Sequence, residues 1–243
     1  MGFIGELGLQ IAFISDIHGN IHALRAAWKY IQDRGVTQTL CLGDLVGYGA
    51  NPSEVIDFVE THDLRCTLGS SDARVAYELN EKFEKREGLS EQTLEWTKTI
   101  LTPEHKQFLR KLPTSGRLET PKGRLRYCHG SPYDPDDRLD LHGPAQDLNE
   151  LLNSLHCDLL VCGGTHIPYI RTLVRGVVID PGSVGLSLNG EPGADVTILT
   201  IGETEVKTEL IKVPYNLEAA AADILTWKLP KLIAGVIRSG RMA

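Results

Sequence analysis

The sequence predicts an α/β fold, and two observations support this class. Five short apolar runs, rich in β-branched residues, each end in a turn of Gly, Asp, Ser or His, as buried strands typically do. Amphipathic stretches that open with helix-capping residues separate these runs, and such alternation is typical of an α/β architecture. With 243 residues, the chain is long enough for one large domain or two small ones.

The predicted strands end where chemically active side chains begin. In an open α/β sheet, ligands bind outside the carboxyl ends of the strands, so we expect the residues that follow these strands to form one site. In chain order, the runs and the residues after them are LQIAFIS with Asp16, TQTLCLG with Asp44, LRCTLG with Ser70, LRYC with His129, and LLVCG with Gly164, Thr165 and His166.

Four helices are predicted from start signals and apolar stripes. A polar residue that can accept from the first backbone N–H groups marks a helix start, and proline suits the first turn. The predicted starts are Asn20, Asn51 before Pro52, and Thr102 before Pro103, and a leucine stripe over residues 148–155 marks the fourth helix.

Two regions depart from the alternating pattern. Residues 73–120 are polar, rich in Glu and Lys, and interrupt the strands, which predicts a helical insertion or cap. We expect oligomerisation or a protein partner, if there is one, to use this insertion. After residue 168, close-set strands predict an added, more antiparallel portion of sheet, and residues 215–243 predict C-terminal covering helices.

Composition excludes several classes of function. The chain has 25 Lys and Arg against 32 Asp and Glu, with no basic block, which argues against bulk nucleic-acid or anionic-membrane binding. No apolar run approaches the roughly 20 residues of a membrane span, and we find no signal peptide. An odd count of five cysteines, mostly within apolar runs, predicts reduced thiols and a cytoplasmic protein.

The residue types at the strand ends are those of a metal site. Asp16 and His18 are two positions apart, so in extended chain their side chains point the same way. Together with Asp44, His129 and His166 they form a carboxylate and imidazole set, which suits Mn, Fe or Zn. Each of these side chains taken singly fits an ordinary hydrogen-bonded turn residue, but five at the ends of four strands are typical of a metal centre.

These motifs resemble those of a known family. The order of the acidic and histidine motifs along this chain resembles that of the calcineurin-like metallophosphoesterases, whose order is D-x-H, G-D, G-N-H-D, H-G and G-H-T-H. More narrowly, the chain resembles their compact bacterial and archaeal phosphodiesterase-type branch in the segments GDLVGYGANP, HGSP, THIP and DPGSVG. The similarity extends from about residue 9 to about residue 200. It implies one domain over residues 1–243 with a four-layer α/β/β/α sandwich and two metals that activate a hydroxide for attack on phosphorus.

The resemblance assigns metal ligands residue by residue. It implies that Asp16, His18, Asp44 and His166 hold the first metal. The second metal is expected to share Asp44 and to take His129.

The chain departs from the family pattern at several of these positions. Ser70 stands in place of the Asn of G-N-H-D, Ser71 in place of its His, and Gly164 in place of the first His of G-H-T-H. The lost His at position 71 is the usual general acid, and Asp72, which positions it in the family, remains. Asp180 replaces the Asn that the branch often has before P-G-S-V-G, and the Arg that often follows this motif is absent.

We therefore predict a metal-dependent phosphoesterase that hydrolyses phosphomonoesters or phosphodiesters of a small phosphorylated substrate at a weakened site. One divalent metal is expected to bind firmly, and the second metal site is expected to be weak or empty. Ser70 and His142 are weaker candidates for a replacement ligand or proton donor. The alternative is a non-catalytic member that uses the fold as a binding scaffold, as a retromer subunit does.

Overall fold

The computed structural model describes residues 8–78 and 88–242. Within them, the strands are β1 Leu9–Ile14, β2 Thr39–Cys41, β3 Arg65–Cys66, β4 Ser115–Thr120, β5 Gly123–His129, β6 Leu159–Gly163, β7 Tyr169–Thr172, β8 Val177–Asp180, β9 Ala194–Ile201 and β10 Val206–Val213. The helices are α1 Ile21–Asp33, α2 Pro52–Thr61, α3 Ser70–Ala76, α4 Leu89–Ile100, α5 Pro103–Arg110, α6 Ala145–Leu155, α7 Leu217–Thr226 and α8 Lys231–Ser239.

The strands form two five-stranded sheets. The first has the order β10-β9-β1-β2-β3 and the second the order β4-β5-β6-β8-β7. The strands β1, β2 and β3 are mutually parallel, as are β5, β6 and β8, and the remaining strands pair antiparallel at the margins. The parallel strands of both sheets deliver their carboxyl ends to one end of the sandwich.

Alternation along β1 shows how the layers are stacked. Ile11 and Phe13 pack between the two sheets, against residues of β5, β6 and β8. Ala12 and Ile14 pack on the opposite face with α1 and α2, because successive side chains of a strand point to opposite faces. On the outer face of the second sheet, α6 packs against β5, β6 and β8. The four layers confirm the predicted α/β/β/α sandwich.

The C-terminal helices α7 and α8 pack over the start of α2 and the segment after β8. Their buried face includes Ala221, Ile224 and Ile237, which contact Ala50 and Leu186. No helix in the described part of the chain is long and apolar enough to cross a membrane.

The prediction of an added, more antiparallel portion of sheet after residue 168 is confirmed, because β7 pairs antiparallel with β8, β9 with β1, and β10 with β9. Strands β7 and β8 extend the second sheet, where β8 is parallel to β6, and β9 and β10 extend the first sheet. The late strands thus lie at one margin of each sheet, two in each.

The predicted helical insertion is only partly helical. Residues 89–110 form α4 and α5, but residues 115–120 are β4, an edge strand of the second sheet that pairs antiparallel with β5. Its side chains alternate between half-buried and exposed, so it carries no apolar run for a sequence pattern to detect. Part of the predicted insertion, residues 79–87, lies outside the described residues.

Three predicted helix starts are correct, and two of them are capped as expected. Asn20 accepts from the backbone N–H of Ala23, and Thr102 accepts from that of His105. Asn51 precedes α2, but its side chain makes no cap and its Nδ2 instead donates to Asp223 of α7 at 3.1 Å. The difference arises because α7 offers a carboxylate partner that the local sequence does not reveal.

Candidate metal centre

The carboxyl ends of four strands bring five acidic and histidine side chains together. Asp16 and His18 follow β1, Asp44 follows β2, His129 ends β5, and His166 follows β6. All five are buried. Their ligand atoms form two groups, and within each group these atoms lie within 4.8 Å of one another.

The first group consists of Asp16, His18 and His166. The two Nε2 atoms of His18 and His166 are 3.1 Å apart. Asp16 Oδ1 lies 3.3 Å from His166 Nε2 and 3.7 Å from His18 Nε2. These three side chains present one carboxylate and two imidazoles to a common point.

The second group consists of Asp16, Asp44 and His129. Asp44 Oδ2 lies 3.5 Å from His129 Nε2 and 3.7 Å from His18 Nε2. Asp16 is thus common to both groups, whereas the resemblance implied that Asp44 is the shared ligand. Asp44 Oδ2 nevertheless lies within reach of a histidine from each group.

Backbone carbonyls fix the orientation of all three histidine rings. A carbonyl oxygen only accepts, so each Nδ1 carries a proton and donates it, and each Nε2 is left with a lone pair directed at the carboxylates. The Nδ1 donors and their acceptors are His18 to Val46 O at 3.1 Å, His129 to Leu42 O at 2.9 Å, and His166 to Leu186 O at 2.8 Å.

Two features show that these residues fit a divalent cation. In the neutral tautomers that the carbonyls select, the Nε2 lone pairs of His18 and His166 face each other across 3.1 Å. Asp16 Oδ1 is buried and has no hydrogen-bond partner. A buried, unpaired carboxylate oxygen costs free energy, and a cation bound to it and to the two Nε2 atoms removes both penalties. The mixed oxygen and nitrogen ligand set suits Mn, Fe or Zn.

The pKa values of the group follow from burial and mutual charge. Burial lowers the pKa of His18 to about 4, so this ring is neutral and ready to bind a metal. Burial opposes ionisation of Asp16, but the positive charge that His166 and His129 carry when protonated outweighs burial and holds the pKa of Asp16 below its usual value. Burial likewise opposes protonation of His129 and His166, yet the neighbouring carboxylates raise the pKa of both.

The site loops are held in uncommon backbone conformations. Asp16, His18, Asp44 and His166 have φ values of 54°, 48°, 52° and 61°, in the left-handed region that non-glycine residues rarely adopt. Such conformations persist only where the surrounding structure enforces them, and they concentrate at functional sites. Here the loops after β1 and β2 support each other, since His18 N donates to Asp44 O at 2.9 Å.

Ser71 and Asp72 do not stand free in the site. Ser71 N donates to Asp44 Oδ1 at 2.8 Å, and Ser71 Oγ donates to Asp44 Oδ2 at 3.0 Å. Asp72 accepts from the backbone N–H groups of Val46 and Gly69, at 3.2 and 3.1 Å. Burial, with the charge of Asp44, raises the pKa of Asp72 to about 7. Both residues therefore brace the loops that carry the ligands.

The remaining substituted positions border the second group. A Cβ on Gly164 would lie 3.5 Å from His129 Nε2, so this position faces the second group but supplies no ligand as glycine. Its φ of +99° disfavours a side chain. Ser70 is half-buried at the start of α3 and lines the same cavity.

Asp180 braces the loop that carries His166. Its Oδ2 accepts from Thr165 Oγ1 at 2.7 Å and Thr165 N at 3.3 Å, and its Oδ1 accepts from Gly182 N at 2.8 Å. Burial, reinforced by the charge of Asp16, raises the pKa of Asp180 to about 7. A carboxylate suits this position because both of its oxygens accept.

A cavity of about 540 Å³ opens above the two groups. Among the described residues that line it are His18, Asp44, Tyr48, Ser70, Ser71, Arg74, Leu89, Glu91, His129, Asp136, Asp137, Arg138, Gly164, His166 and Met242. His142, which the sequence suggested as a substitute donor, is exposed and does not line the cavity.

Sequence reasoning missed three side chains of this cavity. Tyr48 packs edge-on against His18, with ring centroids 4.8 Å apart, and its backbone N–H donates to Thr93 Oγ1 of α4 at 3.1 Å. The local signal for Tyr48 was its position in the G-Y-G turn, four residues after the candidate ligand Asp44. Arg74 and Arg138 carry no comparable local signal, because only folding brings them to the same cavity.

Comparisons with known proteins show the family to which the chain belongs. Residues 9–204 match the calcineurin-like phosphoesterase superfamily domain. The chain is 31% identical over 250 residues to an uncharacterized protein of Methanocaldococcus jannaschii, an alignment that covers 96% of this chain and 98% of that protein.

Two solved structures share the fold. A hypothetical protein from Pyrococcus horikoshii superposes with a TM-score of 0.83 at 22% identity, over 96% of this chain and 99% of that one. A metallophosphoesterase from Sphaerobacter thermophilus superposes with a TM-score of 0.74 at 24% identity, over the same shares of the two chains. The fold and the paired ligand groups define a metallophosphoesterase sandwich. The chain belongs to the calcineurin-like phosphoesterase superfamily.

Proposed function

We propose that the protein is a metal-dependent phosphoesterase that hydrolyses phosphomonoesters or phosphodiesters. In this reaction the oxygen of water bonds to phosphorus, the P–O bond to the ester oxygen breaks, and a proton from water ends on the departing oxygen. The observation that carries the proposal is the convergence of three Nε2 lone pairs and two carboxylates at one end of a cavity, where Asp44 and the three histidines line the cavity and Asp16 is buried behind them.

The residues of the two groups hold the metal. Asp16, His18 and His166 form the firmer site, because two imidazoles with fixed tautomers already converge with the unpaired oxygen of Asp16. Asp44 and His129, with Asp16, form the weaker site, since position 164 supplies no side chain there. A divalent cation at such a site polarises a phosphoryl oxygen and lowers the pKa of bound water.

The catalytic activity is proposed to be weak because the site lacks a general acid. Ser71 occupies the position of that acid in the resemblance, and its hydroxyl is engaged with Asp44. Loss of general-acid assistance typically costs a factor of about 10²–10⁴, and least where the leaving group is already acidic. The enzyme is therefore expected to hydrolyse aryl esters far faster than alkyl esters.

Manganese-dependent hydrolysis of bis(p-nitrophenyl) phosphate tests the proposal. We expect turnover that requires added Mn²⁺, stops with a chelator, and is absent from Asp16→Ala, which loses the carboxylate common to both groups. Elemental analysis of the loaded protein is expected to find one firmly held metal per chain. A wild type that binds the metal but is no faster than Asp16→Ala would instead support the binding scaffold.

A further inference from the structure

The cavity offers more room and more charge than one phosphoryl group requires. Its volume of about 540 Å³ lies within the roughly 300–1,000 Å³ of small-molecule sites. Four of the five candidate metal ligands line the cavity, and so do two arginines, Arg74 and Arg138, from different segments of the chain. Neither belongs to the ligand groups.

Arg74 is held in place by the fold. It lies on α3, one turn after Ser70, so the two side chains share a face of the helix and both line the cavity. Its side chain is only 15% exposed, and Nη2 donates to Asp136 Oδ1 at 2.8 Å. Because Asp136 lies on the loop after β5, this ion pair joins the two segments that border the cavity.

Arg138 stands two residues after Asp136 on the same loop. Its side chain is exposed and lines the cavity, and in residues 8–78 and 88–242 its guanidinium makes no hydrogen bond or ion pair. A guanidinium carries five donors in a planar fork that matches a phosphoryl group bidentately. The N–H donors of Arg138 are therefore free of partners among the described residues, and an anion bound in the cavity can accept from them.

The acidic side chains of the wall do not cancel these charges. Asp136 is paired with Arg74, and the carboxylate of Asp137 accepts from Ser131 Oγ. Of the described acidic residues that line the cavity, this leaves Glu91, on the first turn of α4, which has no such partner and does not belong to the ligand groups.

From this arrangement we infer that the preferred substrates are phosphoesters that carry a second phosphoryl group, as a nucleoside diphosphate does. The inference rests on the proposed function. One phosphoryl group lies over the metal ligands, and the second is bound by Arg138 beside Arg74. Tyr48, Leu89 and Met242, which line the same cavity, contact the organic part. These arginines take the place of the Arg that is absent after DPGSVG.

Calorimetric binding of ADP and AMP tests the inference. The manganese-loaded protein is titrated with each nucleotide while a metal buffer holds free Mn²⁺ constant. We expect ADP to bind the wild type about tenfold more tightly than AMP, because charge-assisted bidentate hydrogen bonds add to its binding. Arg138→Gln is expected to abolish most of that preference, and Arg138→Lys to retain part of it. Equal affinity of the wild type for ADP and AMP would overturn the inference.

A matched control separates local binding from long-range charge. Arg25 is an exposed arginine of α1 away from the cavity, and Arg25→Gln is expected to keep the preference for ADP. An equal loss in Arg25→Gln and Arg138→Gln would also overturn the inference. A wild type that prefers ADP but shows no manganese-dependent hydrolysis of bis(p-nitrophenyl) phosphate would contradict the proposed function alone.

Discussion

Ser71 stands at the position of the family's general-acid histidine but makes different contacts. In the family pattern this position carries a histidine, whereas here the backbone N–H and the hydroxyl of Ser71 donate to the two oxygens of Asp44. A carboxylate held from both sides cannot rotate away from the ligand groups. We therefore regard Ser71 as a residue that positions Asp44 rather than as a proton donor.

Ser71→Ala is expected to weaken Mn²⁺ binding by about tenfold, because loss of a hydrogen bond that orients a ligand typically costs 10–100-fold in metal affinity and the backbone N–H remains here. Calorimetric titration measures the change. Ser15→Ala is the matched control, since Ser15 Oγ is also buried but has no hydrogen-bond partner. Equal affinities of Ser71→Ala and the wild type would show that Asp44 needs no such support.

The pH dependence of stability tests the environment of Asp180. Burial raises its folded-state pKa to about 7 from an ordinary value of 3.8. Between these values the folded chain holds a proton that the unfolded chain has released, so the free energy of unfolding falls as the pH rises through this range. Above about pH 7 both states are ionised and the effect is complete.

Asp180→Asn removes this titration in the metal-free protein. Relative to the wild type, its free energy of unfolding is expected to improve by about 2–3 kcal/mol between pH 5 and pH 8, since each pKa unit corresponds to about 1.4 kcal/mol. Urea denaturation in the presence of a chelator measures both proteins at both pH values. The same pH dependence in variant and wild type would refute the assignment.

At the scale of elements, the start of α1 links three parts of the chain. Asn20 Oδ1 caps the helix by accepting from Ala23 N at 3.1 Å. Its Nδ2 donates to Gly185 O at 3.0 Å and to the hydroxyl of Tyr215 at 3.1 Å. The cap thus ties the first ligand loop to the segment after β8 and to the linker before α7. Helix initiation and site assembly depend on the same amide.

Asn20→Ala is expected to lower the free energy of unfolding by about 2–4 kcal/mol, because it removes a helix cap and leaves a buried carbonyl unpaired. Thr102→Ala serves as the comparison, since Thr102 makes one exposed cap bond, and we expect it to cost about 1 kcal/mol. Chemical denaturation gives both values. Equal losses would mean that the bonds to Gly185 and Tyr215 contribute nothing.

At the scale of the whole molecule, the two sheets share one apolar interface. Phe13 is fully buried there with residues of both sheets, including Leu125, Val161 and Leu199. This interface sets the distance between the ends of β1 and β2 and those of β5 and β6. It therefore determines whether ligands from the two sheets meet.

Phe13→Ala is expected to lower the free energy of unfolding by about 3–5 kcal/mol, because it leaves a cavity between the sheets. Val174→Ala is the control, since Val174 is 102% exposed and its truncation is expected to change stability by less than about 0.5 kcal/mol. Thermal and urea denaturation measure the effect. A change in Phe13→Ala as small as that of the control would show that the sheets are not held together here.

Strand ends were predictable because short apolar runs are local signals. The runs before Asp16, Asp44 and His129 become β1, β2 and β5, and the ligands follow them as expected. The partners of the later strands were not predictable, because β8 and β9 have similar apolar patterns and join different sheets. Pairing depends on which edge is open, and this is a property of the assembled sheets.

The sequence by itself determined the family, the α/β sandwich and the residue types of the candidate metal centre, because these depend on local patterns and on motifs at strand ends. Only the tertiary structure showed that Asp16 belongs to both ligand groups and that Ser71 donates a hydrogen bond to Asp44. Only the fold brings Arg74 and Arg138 to one cavity wall. The physical reason is that these contacts join residues from separate segments, whose approach is set by the packing of the two sheets and the loops at their ends.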